Sequence, residues 1–205
     1  MTGSGLLVRL EARHGKDREV EQFLRSAVPL VEEEIGTTAW FAMRFGRGEY
    51  GIFDAFLDDA ARKEHLAGPV ALALQEHGDD LFNSPPRMQE VQILANKMPV
   101  THAFPDTKGI LLTFKAKPGH EQEVEEFLLD ARRVVMDEEP NTTAWFALRT
   151  QDGEYGIFDV FPDNGARFVH LVGHVPRELA KHAISMLGSV PEVELVSVQA
   201  EKLGV

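Results

Sequence analysis

The strongest constraint on this 205-residue chain is an internal duplication. Thr37-Thr38-Ala39-Trp40-Phe41-Ala42 recurs as Thr142-Thr143-Ala144-Trp145-Phe146-Ala147. Gly48-Glu49-Tyr50-Gly51-Ile52-Phe53-Asp54 recurs letter for letter from Gly153 to Asp159. Ala61-Arg62, His65-Leu66 and Gly68 return as Ala166-Arg167, His170-Leu171 and Gly173. The offset is 104 residues early on and 105 after one inserted residue near Pro140-Asn141. A period this long, present only twice, is not a solenoid, whose repeats are shorter and stack in larger numbers. It marks two homologous units, residues 1–98 and 109–205, joined by a linker over 99–108 that carries Pro99 and Pro105.

Composition narrows the function. Thirty-three acidic against 21 basic side chains give a net charge of −12, which repels nucleic acid and anionic membranes, so neither is expected as a partner. Cysteine is absent, which excludes disulfides, Cys-ligated zinc, iron–sulfur clusters and cysteine nucleophiles. Met1-Thr2-Gly3-Ser4-Gly5 has no basic leader character, and no run of about 18 apolar residues occurs, so a cytoplasmic protein is expected. No phosphate-cradling glycine loop, serine nucleophile motif or dinucleotide fingerprint is present.

Each unit reads in the same order. Leu6 to Ala12 is a strand stopped at His14-Gly15, and Ile110 to Ala116 is its copy, stopped at Pro118-Gly119. From Asp17 to about Glu34, Val20, Phe23, Leu24, Ala27, Val28 and Val31 recur at helical spacing, with Pro29 awkward among them. Thr38 to Phe45 and Glu49 to Phe56 form a hairpin about Gly46-Arg47-Gly48. Asp58 or Asp59 caps a second helix reaching about Phe82, broken by Gly68-Pro69. Met88 to Lys97 is a last strand. The β-α-β-β-α-β order, twice, is the ferredoxin-like split unit. Helices cover one face of such a sheet, so the fold expected is α+β: two units packed sheet-to-sheet as an intramolecular pseudo-dimeric barrel.

These residues resemble a known family. Phe53-Asp54-Ala55-Phe56, then Asp58, Ala61, His65-Leu66 and Gly68, look like an antibiotic-biosynthesis-monooxygenase domain of the dimeric α+β-barrel superfamily. Phe158-Asp159-Val160-Phe161, Asp163, Ala166, His170-Leu171 and Gly173 repeat the pattern, so the resemblance covers nearly the whole chain. It implies a pocket between sheet and helices in each unit. It also implies cofactor-independent oxidation of quinol or polycyclic phenol substrates by O2, with neither flavin nor metal. The polyketide-oxidising members carry Asn, Trp and Tyr where this chain has Ile52, Phe56 and Arg62, and Ile157, Phe161 and Arg167. The heme-degrading set is missing as well: strand one has no Asn, and the heme-ligand position falls near Gln75 and Ala180, two residues from His77 and His182.

Candidate chemistry therefore rests on residues common to both repeats. His65 and His170 follow a helix start and can take a phenolic proton, or can simply pack and hydrogen-bond. Asp54 and Asp159 interrupt apolar strands, and each needs a partner or a raised pKa. Strand alternation puts Tyr50, Ile52, Asp54 and Phe56 on one face, so Asp54 pairs naturally with His65. The expected pocket lining is Tyr50, Phe56, Arg62, Tyr155, Phe161 and Arg167, with Trp40 and Trp145 as further contacts. A two-residue hairpin loop places Arg44 opposite Glu49 as an ion pair and Trp40 opposite Phe53. Trp40 then lies on the face away from Asp54, in the core between sheets, unless a bulge reverses it. Arg149 and Glu154 repeat the ion pair. His170 and His174 have i, i+4 spacing, but Pro69 replaces the second histidine in the first unit and no third ligand is evident, so no metal is expected. Glu32-Glu33-Glu34 and Asp137-Glu138-Glu139 read as solvated helix ends.

The sequence thus supports a tandem monooxygenase acting on a small aromatic or quinol-type molecule and O2. His65 or His170 is the expected base, and Asp54 or Asp159 orients it. The competing reading is a non-catalytic ligand-binding or stress-associated module of the same fold. Further pairing of the chain into a homodimer is open.

Overall fold

The computed structural model describes residues 3–98 and 106–203, so most of the linker read over 99–108 lies outside the described residues. The first repeat runs β1 (Gly3–Glu11), α1 (Asp17–Ser26), α2 (Val28–Glu32), β2 (Thr37–Gly46), β3 (Glu49–Phe56), α3 (Asp59–Leu66), α4 (Pro69–Leu81) and β4 (Arg87–Lys97). The second runs β5 (Lys108–Lys115), α5 (Glu121–Glu138), β6 (Ala144–Thr150), β7 (Glu154–Phe161), α6 (Asn164–Leu171), α7 (His174–Met186) and β8 (Glu192–Leu203). Hydrogen-bonded strand neighbours follow the closed order β1-β3-β2-β8-β5-β7-β6-β4, the α+β barrel that the duplicated element order predicts. Among the described residues no helix is long and apolar enough to cross a membrane.

The compact units are not the sequence repeats. One comprises Gly3–Val91 together with β8 from Val196 onward, and the other comprises Gln92–Leu195. The division falls inside β4 and β8 rather than at the linker. Ladder pairing is the reason: Ala39 to Arg44 of β2 pair antiparallel with Leu203 to Ser197 of β8, so the last strand of the second repeat completes the sheet of the first unit.

Local chemistry sets the helix breaks. The single helix expected over 17–34 divides at Ala27, because Pro29 has no N–H to continue the ladder and starts a new helix instead. Arg133 in the second repeat permits one unbroken helix, α5, with Val124, Leu128, Ala131 and Val135 buried at helical spacing. Gly68-Pro69 separates α3 from α4 as expected. Asp58 caps α3 by accepting from the Ala61 N–H at 2.9 Å, and Asp163 caps α6 by accepting from Ala166 at 2.8 Å.

The hairpin corrects the expected register. A shift between Arg44 and Gly46 sets Gly46 opposite Glu49, Arg44 opposite Tyr50, and Trp40 directly opposite Asp54. Trp145 likewise opposes Asp159. One extra residue moves every side chain of β2 to the other face. Trp40 therefore joins the helix-side core with Leu6, Val8, Tyr50 and Ile52, not a core between sheets. The cross-strand ion pairs expected of Arg44 with Glu49 and Arg149 with Glu154 are replaced by pairs to the first helix of each repeat. Arg44 lies 2.9 Å from Glu21, and Arg149 lies 2.6 Å from Glu125.

Two equivalent glycines beside the hairpins are unequal. A Cβ on Gly51 would meet the Val8 carbonyl oxygen at 2.6 Å and the Phe45 ring at 2.9 Å. On Gly156 the nearest atom, the Leu112 carbonyl oxygen, is 3.1 Å away. Gly51→Ala is expected to destabilise by about 1–3 kcal/mol and Gly156→Ala by clearly less, as urea unfolding midpoints will show.

Candidate functional site

Three segments converge on each histidine. The capped start of α3 places His65 on the inward side of its last turn, where it is 6 % exposed. Strand alternation turns Asp54 of β3 toward it, at 1 % exposure. The third contributor is Glu34, just past α2. His65 Nδ1 lies 2.6 Å from Glu34 Oε2, and Nε2 lies 3.8 Å from Asp54 Oδ2. The second repeat reproduces the arrangement: His170 Nδ1 is 2.6 Å from Glu139 Oε2, and Nε2 is 3.5 Å from Asp159 Oδ2. Each imidazole is thus held between two carboxylates. Phe56 packs against His65 as a tilted ring 5.2 Å away between centres, and Phe161 packs against His170 at 5.1 Å.

Glu34 and Glu139 overturn the expectation that both acidic stretches are simply solvated. Their neighbours Glu32, Glu33, Asp137 and Glu138 are exposed, but these two turn inward and also accept from Thr37 at 2.6 Å and Thr142 at 2.8 Å. They are 105 residues apart, whereas Val31 and Val135, which close the preceding turn, are 104 apart. The inserted residue therefore lies between Val135 and Glu139, just before Pro140-Asn141. In a run of like acids that shift is invisible, so the sequence alone did not single out the pair that meets the histidines. The repeated Glu-x-x-Thr spacing was the available signal.

The charges interact strongly. Burial pushes the Asp54 carboxyl up to about 7, against the pull of His65. Burial raises Asp159 in the same way. Burial opposes charge on His170, but Asp159 and Glu139 outweigh it and raise the imidazole to about 10. His65 is raised similarly, first by its bond to Glu34. Glu34 and Glu139 are held below the usual carboxylate range despite burial, because the histidines bond to them. The clamp is therefore an imidazolium with an ionised glutamate on Nδ1 and a high-pKa aspartate on Nε2.

In the second unit the clamp opens onto a cavity of about 410 Å³. Among the described residues, Asp159 and His170 are the only polar side chains in its wall. The rest is apolar, with Ile157 and Leu112 from the sheet and Val175, Leu179, Ala180 and Ala183 from α7. Among the described residues, Asp159 Oδ1 has no hydrogen-bond partner, nor does either Asp54 oxygen.

The other predicted contacts are engaged elsewhere. The Tyr50 hydroxyl donates to Asp17 Oδ1 at 3.0 Å, and Tyr155 donates to Glu125 Oε1 at 3.1 Å. Arg62 lies 2.9 Å from Glu90, and Arg167 donates to Asn164 at 2.7 Å and the Gly109 carbonyl at 3.3 Å. Tyr155, Phe161, Arg167 and Trp145 are not among the residues lining the cavity. Trp40 and Trp145 are 0 % exposed, and neither indole N–H has a partner among the described residues. His174 faces outward, 3.7 Å from Glu138, and no group of three or more His, Asp or Glu placed to hold a metal occurs among the described residues.

His170 links this geometry to pH. Its folded pKa is raised, so its contribution to stability is complete below the ordinary histidine value of 6.5 and is lost as pH rises toward about 10. Urea midpoints are expected to fall across that interval in the wild type and to fall less in His170→Asn.

No family model matches the sequence, and no curated protein matches it. Solved structures do resemble it. A candidate monooxygenase from Fusobacterium nucleatum superposes with a TM-score of 0.88 at 13% identity, covering 100% of this chain and 96% of that one. A ferredoxin-fold protein related to antibiotic biosynthesis monooxygenases, from Listeria monocytogenes, gives 0.56 at 6% identity, covering 97% and 95%. An anthrone oxidase-like protein gives 0.65 at 9% identity, covering 98% and 93%. The chain has the tandem-duplicated fold of antibiotic-biosynthesis-monooxygenase-like proteins.

Proposed function

We propose that the second unit binds a small aromatic, quinol-type molecule and oxidises it with O2, using the substrate's own electrons. The observation that carries this reading is the cavity itself: an apolar chamber whose only titratable wall groups among the described residues are Asp159 and His170. Apolar walls accept a ring, and one polar end selects a molecule with a single acidic hydroxyl or activated C–H. The monooxygenase names of the Fusobacterium and Listeria structures, and the anthrone oxidase-like one, support the same chemistry at the level of the fold.

The expected roles of histidine and aspartate exchange. A histidine bonded to Glu139 and facing Asp159 stays protonated at neutral pH and is a poor base. Asp159, its pKa raised by burial, is the better proton acceptor, because a carboxylate lifted above its ordinary range is a stronger base. In this reading Asp159 takes the substrate proton and the His170 imidazolium stabilises the anion left behind. Glu139 keeps the ring oriented. The anion then reduces O2: one oxygen atom enters the substrate and the other leaves as water. Asp54, His65 and Glu34 provide the same set in the first unit.

One observation favours a binding module without turnover. Both ring nitrogens of His170 face carboxylates, which suits a fixed charge as well as a working acid–base pair. Oxygen uptake with a panel of hydroquinones separates the two. Catalysis predicts uptake that falls about 10²-fold or more in Asp159→Asn and in His170→Asn. Ala180→Phe, which fills the cavity, should raise KM. No uptake from any quinol, together with a ligand that raises Tm, establishes the binding reading instead.

A further inference from the structure

Lys97 and Lys202 are equivalent positions, 105 residues apart, in the last strand of each repeat. Each serves the histidine of the other repeat. Lys202 Nζ donates to the carbonyl oxygens of Val31 at 2.9 Å and Glu34 at 2.6 Å, reaching across 171 and 168 positions of sequence. Lys97 Nζ donates to Val135 at 3.0 Å and Glu139 at 2.8 Å.

Val31 and Glu34 lie at and just past the end of α2, and Val135 and Glu139 at the end of α5, where backbone carbonyls carry partial negative charge. Val31, Glu34 and Glu139 each also accept one backbone N–H, at 3.0, 3.2 and 3.1 Å, so the ammonium is a second donor to these oxygens. Neither helix has a basic residue in its own last turn. A glycine or water would be enough to close an ordinary helix end. Here a distant, partly buried ammonium grips the backbone of the residue whose side chain grips the imidazole. Thr37 or Thr142 fixes the carboxylate at its other end. Glutamate has several rotatable bonds, and anchoring it at backbone and carboxylate removes freedom that otherwise weakens its hold on the ring.

We infer that Lys97 and Lys202 are positioning residues: Lys97 holds Glu139 against His170, Lys202 holds Glu34 against His65, and each repeat thereby completes the other's histidine site. The inference rests on the glutamate–histidine clamp being the functional site, but its test needs no turnover.

Side-chain NMR of nitrogen-labelled histidine in the full chain reads each clamp separately. In Lys97→Met the Nδ1–H resonance of His170 is expected to shift or disappear while that of His65 stays. Lys202→Met should do the reverse. Lys97→Arg and Lys202→Arg, which keep charge and donors, should restore the wild-type spectrum. Lys97→Gln and Lys202→Gln are read in the same way should the methionine variants not fold. A variant that moves the histidine of its own repeat, both histidines or neither overturns the inference. Loss of oxygen uptake alone bears on the proposed oxidation, not on this assignment.

Discussion

The structure is organised around the cost of burying charge. An imidazolium and two carboxylates removed from water each lose several kcal/mol of hydration, and only close mutual contact offsets it. The chain meets this by drawing the charges from different elements: aspartate from a central strand, histidine from a capped helix, glutamate from a helix end. Each contact then depends on the packing of the element beneath it. Asp58 and Asp163 fix where the histidine helices begin, Thr37 and Thr142 fix the glutamates, and the hydroxyls of Tyr50 and Tyr155 tie strand to first helix.

The two repeats keep this polar set and vary its apolar surroundings. Ala180 and Val193 in the cavity wall of the second unit have Gln75 and Met88 as counterparts. Pro29 breaks a helix that runs on through Arg133. Duplication has preserved the charges that must satisfy each other and changed part of the walls. That is the pattern expected when clamp geometry is common to both sites and pocket shape is not. It also explains why the tyrosines expected at the ligand are occupied elsewhere: their partners on the first helix were available in both copies.

Much was legible in the linear pattern. The repeat, the β-α-β-β-α-β order, the break at Gly68-Pro69 and a cap at Asp58 or Asp59 follow from local rules, because propensity, capping and turn chemistry act over a few residues. The pairing of Asp54 with His65 was legible too, since strand period and helix start are both local. Trp40 was not. Its facing depends on one extra residue in a hairpin, and nothing in Arg44-Phe45-Gly46 distinguishes a bulge from a tight turn. Glu34 was hidden for a different reason: inside a run of acids, one-dimensional alignment cannot say which of them turns inward.

The sequence by itself determined the number of units, the order of elements in each, and the residue types available for chemistry, because these depend on short-range sterics and periodicity. Only the tertiary structure decided which strand completes which sheet. It also decided which glutamate meets the histidine and which lysine holds that glutamate. Those choices are made by ladder pairing and charge compensation between residues as far as 171 positions apart, and no local pattern encodes them.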